Sequence, residues 1–377
     1  VVFLGEVVLV IFILAMTGRV ADAVRGGPTP RLDVVGTVLS AGGLGVVVLG
    51  VLEASTWGWL KPKDSPVEPF GFALTPFVIA LGGVLVWGFA AWQRHRENVG
   101  RDPLVHLSLM KIPPLRAGLA GLFSQNIILM GVFFVIPLYL QLVLGLDALQ
   151  TGIKMLPVSI AMFLAAAIGS RLSTRYSVRG IVRTGLTLTM VAALALLVTI
   201  KPDLKDTAFA ISMGLIGVGM GLIVSQLGNV VQSSVDASGR SEAGGLQYTG
   251  QQLGSSLGVA LIGAIVLTGL TSAFVSNISS DQRISSEVSS QVGVAVGSGL
   301  DFVSTAQVRA ATEQAGLDAA TSDAIVEDYQ NAQIQSLKVG LLVAAFLALG
   351  SLAFTRDLPH ESPRPASTPV GAAPEPV

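Results

Sequence analysis

Charge is what this sequence has least of. Lys, Arg, Asp and Glu make up 12% of its 377 residues, where a soluble globular domain carries about 25%. Too little charge is present to solvate the surface of two soluble domains. The net charge of −1 gives no electrostatic reason to expect nucleic acid as a partner. Cysteine is absent, which removes disulfides, thiol nucleophiles and thiolate metal sites. Histidine occurs three times, at His95, His106 and His360, without the spacing of a metal site. No HExxH or GxxxxGK[ST] pattern is present, and the GxSxG spelling at 254–258 lies inside a long apolar run rather than at a strand-to-helix turn, so the residues offer no zinc protease, phosphate-binding loop or nucleophile elbow. The reading is of a protein that is not an enzyme and uses no cofactor or metal.

What is abundant is apolar sequence. Hydrophobic residues reach 51%, and they come in long continuous runs. Crossing a bilayer takes roughly 20 mostly apolar residues in a helix. Nine stretches approach this: 1–17, 34–52, 70–92, 117–146, 148–170, 184–200, 207–235, 246–274 and 339–355. Continuous runs exclude barrel strands, which would alternate with period two. In hydrocarbon the backbone must satisfy itself, which leaves helices. The first stretch has no positive leader and carries Glu6, so it reads as a spanner rather than a signal peptide. The expected fold is an all-α polytopic membrane protein of about nine spanning helices.

Lys and Arg set the expected orientation. Fifteen of the 23 fall after the odd-numbered stretches and in the tail, among them Arg94, Arg96, Arg101, Arg116 and Arg240. The other eight, such as Lys61, Lys63, Lys154 and Lys201, follow the even-numbered ones. This places the N-terminus outside and the C-terminus in the cytoplasm of a cell-membrane protein. The connection 277–337 then lies outside. It carries Asp281, Glu287, Asp301, Glu313, Asp318, Asp323, Glu327 and Asp328 against Arg283 and Arg309. It reads as an acidic cap with short amphipathic helices from 304 to 338. Asn277-Ile278-Ser279 matches a glycosylation acceptor. The tail 357–377, rich in Pro, Ala and Ser, reads as disordered.

Three sets of residues within the spans stand out. Gly217 and Gly221, and Gly250, Gly254 and Gly258, recur at four-residue steps, so each set lies along one helix face where backbones could approach closely. Amides recur as Gln125, Asn126, Gln141, Gln226, Asn229, Gln247 and Gln251. A buried amide in a membrane must pair or face water, so these either line a shared aqueous cavity or tie helices together. Arg171, Arg175, Arg179 and Arg183 crowd one short connection. They could latch a cytoplasmic gate, or simply obey the bias of basic residues for the inner face.

From position 136 the chain reads IPLYLQLVLGLDALQTGIKMLPVSIAMFLAAAIGSRLSTR. Pro137-Leu138-Tyr139-Leu140-Gln141, Val143-Leu144-Gly145, Gly152 and Leu156-Pro157 resemble the start of the C-terminal half of major facilitator superfamily drug:proton antiporters, in the fourteen-spanner subgroup. Leu32-Asp33-Val34-Val35-Gly36 and Trp57-Gly58-Trp59 resemble the ends of that subgroup's two extra linker helices. Gln252-Leu253-Gly254-Ser255-Ser256-Leu257-Gly258-Val259-Ala260 resembles its penultimate helix. The loop 169–180 is similar to the second copy of the basic loop motif, with Thr174 where an acid is usual.

The resemblance implies a domain plan. Residues 1–20 would be the last helix of the N-terminal half, 21–112 two linker helices and 113–276 the first five helices of the C-terminal six-helix bundle. An outer acidic loop over 277–337, a last helix over 338–356 and the tail would follow. Five preceding spanners, with the family's proton-coupling acids, would lie outside this sequence. The resemblance implies a secondary transporter that exports small amphipathic organic substrates in exchange for protons, with the lipid bilayer as its other partner. The residues also leave open a non-transporting half-transporter acting as a membrane scaffold or regulatory partner.

Overall fold

The computed structural model describes residues 2–18, 33–237, 239–296 and 302–360. Among these every regular element is helical. The elements are α1 (Val2–Thr17), α2 (Val34–Trp57), α3 (Thr75–Asn98), α4 (Pro113–Leu138), α5 (Ala148–Leu172), α6 (Val178–Thr199), α7 (Asp206–Ser233), α8 (Arg240–Ser280), α9 (Ser286–Ala295), α10 (Thr305–Gln314) and α11 (Ala319–Ser351). Eight helices, α2 to α8 and α11, are long and apolar enough to cross a membrane. The chain is a polytopic all-α membrane protein. Of the nine expected spans, the first corresponds to the 16-residue α1, which falls below that length. Its described side chains are exposed from Val7 to Leu14. Arg19, Arg25, Arg31 and Arg364, counted for orientation, lie outside the described residues, as does most of the tail.

The bundle is built from close helix pairs: α5 with α7, α4 with α8, and α6 with α7 and α11. Helices α4, α7, α8 and α11 share a core that includes Ile128, Val132, Ile136, Met213, Ile216, Ile223, Ile262, Leu337 and Leu341. Lipid supplies no hydrophobic drive between helices, so van der Waals fit must hold them. The α2–α3 hairpin leans on α8.

Local chemistry sets several helix ends. Asp147 and Gln150 form a reciprocal capping box at the start of α5. Ser177 caps α6. Pro137 lacks the N–H that would continue the ladder, and a π turn, Tyr139–Val143, follows α4. Tyr139 is buried there, and its hydroxyl donates to the Lys201 carbonyl at 2.6 Å. That bond ties the end of α4 to the connection between α6 and α7.

Two helices run well past the bilayer. With 41 residues, α8 is about 60 Å long at ~1.5 Å per residue, twice the hydrocarbon thickness of about 30 Å. The 33-residue α11 starts at Ala319 rather than near 338. Their projecting ends join α9 and α10 around a second core of Leu270, Phe274, Ile278, Ile284, Ala324, Ile325, Tyr329 and Ala332. Phe274 and Tyr329 meet edge to face, with centroids 5.3 Å apart. The acidic stretch is therefore a helical cap with a packed interior, not only a solvated loop. Asn277 is half-buried and donates to the Asp328 carbonyl at 3.1 Å, so its amide is engaged within the cap. Arg283 bridges Asp281 and Glu327 on the cap surface. The hydrogen bonds from Arg283 hold the Asp281 carboxyl below the usual carboxylate range.

Candidate functional site

The glycines define how closely the helices meet. A Cβ at Gly217 would collide with the Val158 carbonyl, and one at Gly221 with the Met162 carbonyl, so α7 lies directly on the backbone of α5. In the same way Gly254 and Gly258 set α8 against the carbonyls of Phe123 and Ile127 in α4. Gly250, one turn earlier, faces open space, so the four-residue pattern overshoots the contact at that end.

The seven candidate amides separate by depth. Gln125 and Asn126 lie twelve or thirteen residues into α4, about 18 Å along the helix. Gln125 is 1% exposed, and its Oε1 has no hydrogen-bond partner among the described residues. Next to it, Asn126 Nδ2 donates to the Leu122 carbonyl at 2.9 Å. Ser255 Oγ lies 3.2 Å from Asn126 Oδ1 and 3.0 Å from the Gln251 carbonyl, with one proton to share. Asn126 and the Gln251 backbone thus meet at the α4–α8 contact through Ser255, while Gln125 shares the face of α4 on which Gly118 and Gly121 meet α7. Ser255 lies one turn after Gln251, and that spacing is the signal that could have found it.

The other amides do different work. Gln226 is buried and donates to the Gly169 carbonyl at 2.8 Å. It is a staple between α7 and α5. Gln247 accepts a 3.4 Å bond from Gln232 between α8 and α7. Asn229 is exposed on α7. Gln141 is exposed in the π turn at the opposite end of the bundle, far from the rest.

The arginine turn sits at the end of the bundle opposite the cap. Arg171 and Arg175 are exposed. Arg183 Nε donates to Thr355 Oγ1 at 2.9 Å, and the Arg179 backbone N–H donates to the Pro359 carbonyl. The 3₁₀ segment Leu352–Asp357 after α11 therefore docks on the start of α6. Arg116 at the start of α4 holds the same segment through Asp357, at 2.7 Å.

A further polar cluster lies between α2 and α3, at the same end. Asp33, the N-cap of α2, is 3% exposed. Its carboxylate accepts from the Gly36 N–H (3.0 Å), Trp92 Nε1 (3.0 Å), Gln93 Nε2 (2.8 Å) and Arg96 (3.3 Å). Burial pushes this carboxyl upward, but the bonds from Gly36, Trp92 and Gln93 and the charge of Arg96 outweigh it and hold it below the usual value of 3.8. Gln93 Oε1 in turn accepts from the Leu104 N–H, and His106 pairs with Glu242 at the start of α8. The cluster thereby ties the hairpin, through the 104–106 segment, to the bundle. An Asp ahead of an apolar run is the signal that could have found it.

A model of the Major Facilitator Superfamily matches residues 34–259. The tetracenomycin C resistance and export protein of Streptomyces glaucescens is 28% identical over 242 residues, 64% of this chain and 42% of that protein. The multidrug efflux pump LfrA of Mycolicibacterium smegmatis is 25% identical over 258 residues, 68% of this chain and 48% of the pump. The lincomycin resistance protein LmrB of Listeria monocytogenes is 26% identical over 241 residues, 62% of this chain and 47% of that protein. The chain spans less than half the length of these relatives.

Proposed function

Because the chain belongs to the Major Facilitator Superfamily, we propose that it supplies the C-terminal six-helix half, and two linker helices, of a drug exporter that works by proton antiport. The observation that carries this reading is the family match over 34–259, supported by relatives whose names speak of drug resistance and export. The whole exporter belongs to the fourteen-spanner subgroup, with the partner half supplied by helices that precede this sequence. It sits in the plasma membrane with the arginine turn in the cytoplasm and the acidic cap outside, as the distribution of Lys and Arg favours.

Transporters of this build hold substrate between two repeats and rock around it. Gln125, Asn126 and Gln251 are the amides of this half that serve the cavity, with Asn229 and Gln247 nearer its cytoplasmic mouth. The unanswered Gln125 Oε1 supports that role, because a buried acceptor without a partner calls for water or a ligand. An apolar wall with a few amides suits lipophilic drugs and amphipathic organic cations. The Arg171, Arg175, Arg179 and Arg183 turn, held to the segment after α11, acts as the cytoplasmic latch. The protonated group lies in the partner half.

Two measurements test this. Reading the DNA upstream of the codon for Val1 should reveal an in-frame extension encoding about five spanners. A stop codon just upstream, with stable protein starting at Val1, would overturn the half-exporter reading. Expressing the full gene in a drug-sensitive host should raise resistance, and the paired substitution Asn126→Ala/Gln251→Ala should change which drugs are resisted. An unchanged spectrum would remove the assignment of those amides.

A further inference from the structure

The connection between α2 and α3 lies at the end of that hairpin away from the Asp33 cluster, and its backbone is pinned. The Lys63 N–H donates to the Trp57 carbonyl at 3.1 Å, and the Ala73 N–H to the Leu60 carbonyl at 3.0 Å. The Leu74 N–H donates to Ser65 Oγ at 3.1 Å, and Ala73 is out of solvent. Within this connection Glu68-Pro69-Phe70-Gly71 closes a turn, with the Gly71 N–H on the Glu68 carbonyl at 3.2 Å. Phe70, third in the turn, has φ +56° and ψ +24°. Among the described residues it is the one non-glycine with positive φ. Glycine or asparagine is the unstrained choice at that position after a proline, and a bulky side chain there is an outlier.

The ring so held makes little contact with the chain. Phe70 is 92% exposed, and its ring meets only the edge of a neighbour, Phe77, with centroids 6.4 Å apart. Backbone strain persists where something offsets it, and packing within the chain does not. Phe77 begins a stripe of exposed apolar side chains, Phe77, Leu81, Val84 and Trp87, along one face of α3. On a helix long and apolar enough to cross a membrane, lipid tails are the natural cover for such a stripe. Phe70 extends it past the start of the helix. The charge-free stretch of α3, 75–92, is about 27 Å long at ~1.5 Å per residue, a little short of the hydrocarbon thickness of about 30 Å. A ring just beyond it therefore falls at the boundary. Lys61, Lys63, Asp64 and Glu68 of the same connection are exposed, which suits the water side of that boundary.

We propose that the 68–71 turn inserts the Phe70 ring into the bilayer, where headgroups give way to acyl chains, and so anchors this end of the α2–α3 hairpin. The strained backbone presents the ring outward, Phe77 sets its depth, and burial in lipid offsets the strain. The general preference of tryptophan and tyrosine for the interface would be met anywhere along the connection. Here a fully apolar ring occupies the one position where it carries a backbone cost. The anchor rests on the membrane-crossing reading of α2 and α3, not on transport, substrate or coupling ion.

The chain has no cysteine, so Phe70→Cys takes a nitroxide spin label at a single site. The test reconstitutes the purified full chain in phosphatidylcholine vesicles. It measures collisions of the label with oxygen, which enters lipid, and with a nickel chelate, which stays in water. At position 70 the oxygen-to-nickel ratio should be several-fold higher than for labelled Asp64→Cys, an exposed site in the same connection. Equal ratios would place the ring in water and overturn the proposal. So would an immobilised label that neither reagent reaches, the signature of cover by protein. A second variant needs no label. Phe70→Asn is compatible with positive φ but removes the ring, and it should lower Tm in phosphatidylcholine nanodiscs. An unchanged or raised Tm, as expected of a substitution that only relieves strain, would overturn the anchor.

Discussion

Gln93 Nε2 donates to Asp33 Oδ2 at 2.8 Å across the interface of α2 and α3, and both residues are almost wholly out of solvent. A buried carboxylate persists only when its acceptors are answered. Here a backbone N–H, an indole, an amide and a guanidinium answer it. Gly36 makes the arrangement possible, because a Cβ there would strike both Asp33 Oδ2 and Gln93 Nε2.

Gly36→Ala should therefore destabilise the hairpin by about 1–3 kcal/mol, the usual cost of overpacking. Trp92 touches the cluster, so thermal unfolding followed by tryptophan fluorescence reads it directly. An unchanged Tm would mean that the cluster relaxes freely.

The same cluster carries a pH signature. The Asp33 carboxyl titrates below its ordinary value of 3.8 in the folded chain, so the folded state binds its proton less readily than the unfolded one. The stabilisation is complete above that ordinary value and is lost as pH falls through the lower folded value. Wild type should lose Tm on acidification below about pH 4 more steeply than Asp33→Asn. Parallel profiles would contradict the assignment.

Close helix approach separates two kinds of glycine. Gly217→Ala and Gly258→Ala should each lower Tm, because the added methyl meets a neighbouring helix backbone. Gly250→Ala has open space and should be neutral or stabilising by up to about 1 kcal/mol, the helix-propensity difference. Thermal unfolding of the three variants in one detergent decides the matter.

The amides divide in the same way. Gln226→Leu removes the bond to the Gly169 carbonyl and should cost about 0.6–2 kcal/mol, the range for polar links between membrane helices. Asn229→Ala, at an exposed site, should leave stability within about 0.5 kcal/mol of wild type. The reverse order of stabilities would assign the staple wrongly.

These contrasts mark what the sequence could and could not reveal. The spans were legible because hydropathy alone dictates them. The packed interior of the acidic cap was not, because α8 and α11 continue beyond the apolar runs. There the helix is held by Phe274 and Ile278 packing on Ile325 and Tyr329, a contact between segments some fifty residues apart. The roles of the amides were also hidden. Gln226 and Asn229 lie three residues apart on one helix, yet one grips α5 and the other is exposed. Spacing places them on neighbouring faces but does not say which face has a partner. Asp33 was noted only as part of a resembling segment, since its partners at Trp92, Gln93 and Arg96 come from the next helix.

The cap core offers its own test. Phe274→Ala should leave a cavity costing about 3–5 kcal/mol if the cap cannot collapse, and should expose the 281–318 region to protease well before the bundle unfolds. Tyr329→Phe should act more weakly, losing the hydroxyl that bonds the Val303 backbone. Cleavage of Phe274→Ala at the wild-type rate would mean that the cap draws its order from elsewhere.

The proposed function is proton-driven drug export by a whole protein that includes this chain. Its most direct test is efflux of a fluorescent lipophilic cation from vesicles containing the full-length gene product, with and without an imposed pH gradient. Proton antiport predicts efflux that follows the gradient and stops when a protonophore collapses it. Efflux indifferent to the gradient would contradict antiport, and no efflux from well-folded full-length protein would favour a non-transporting membrane scaffold.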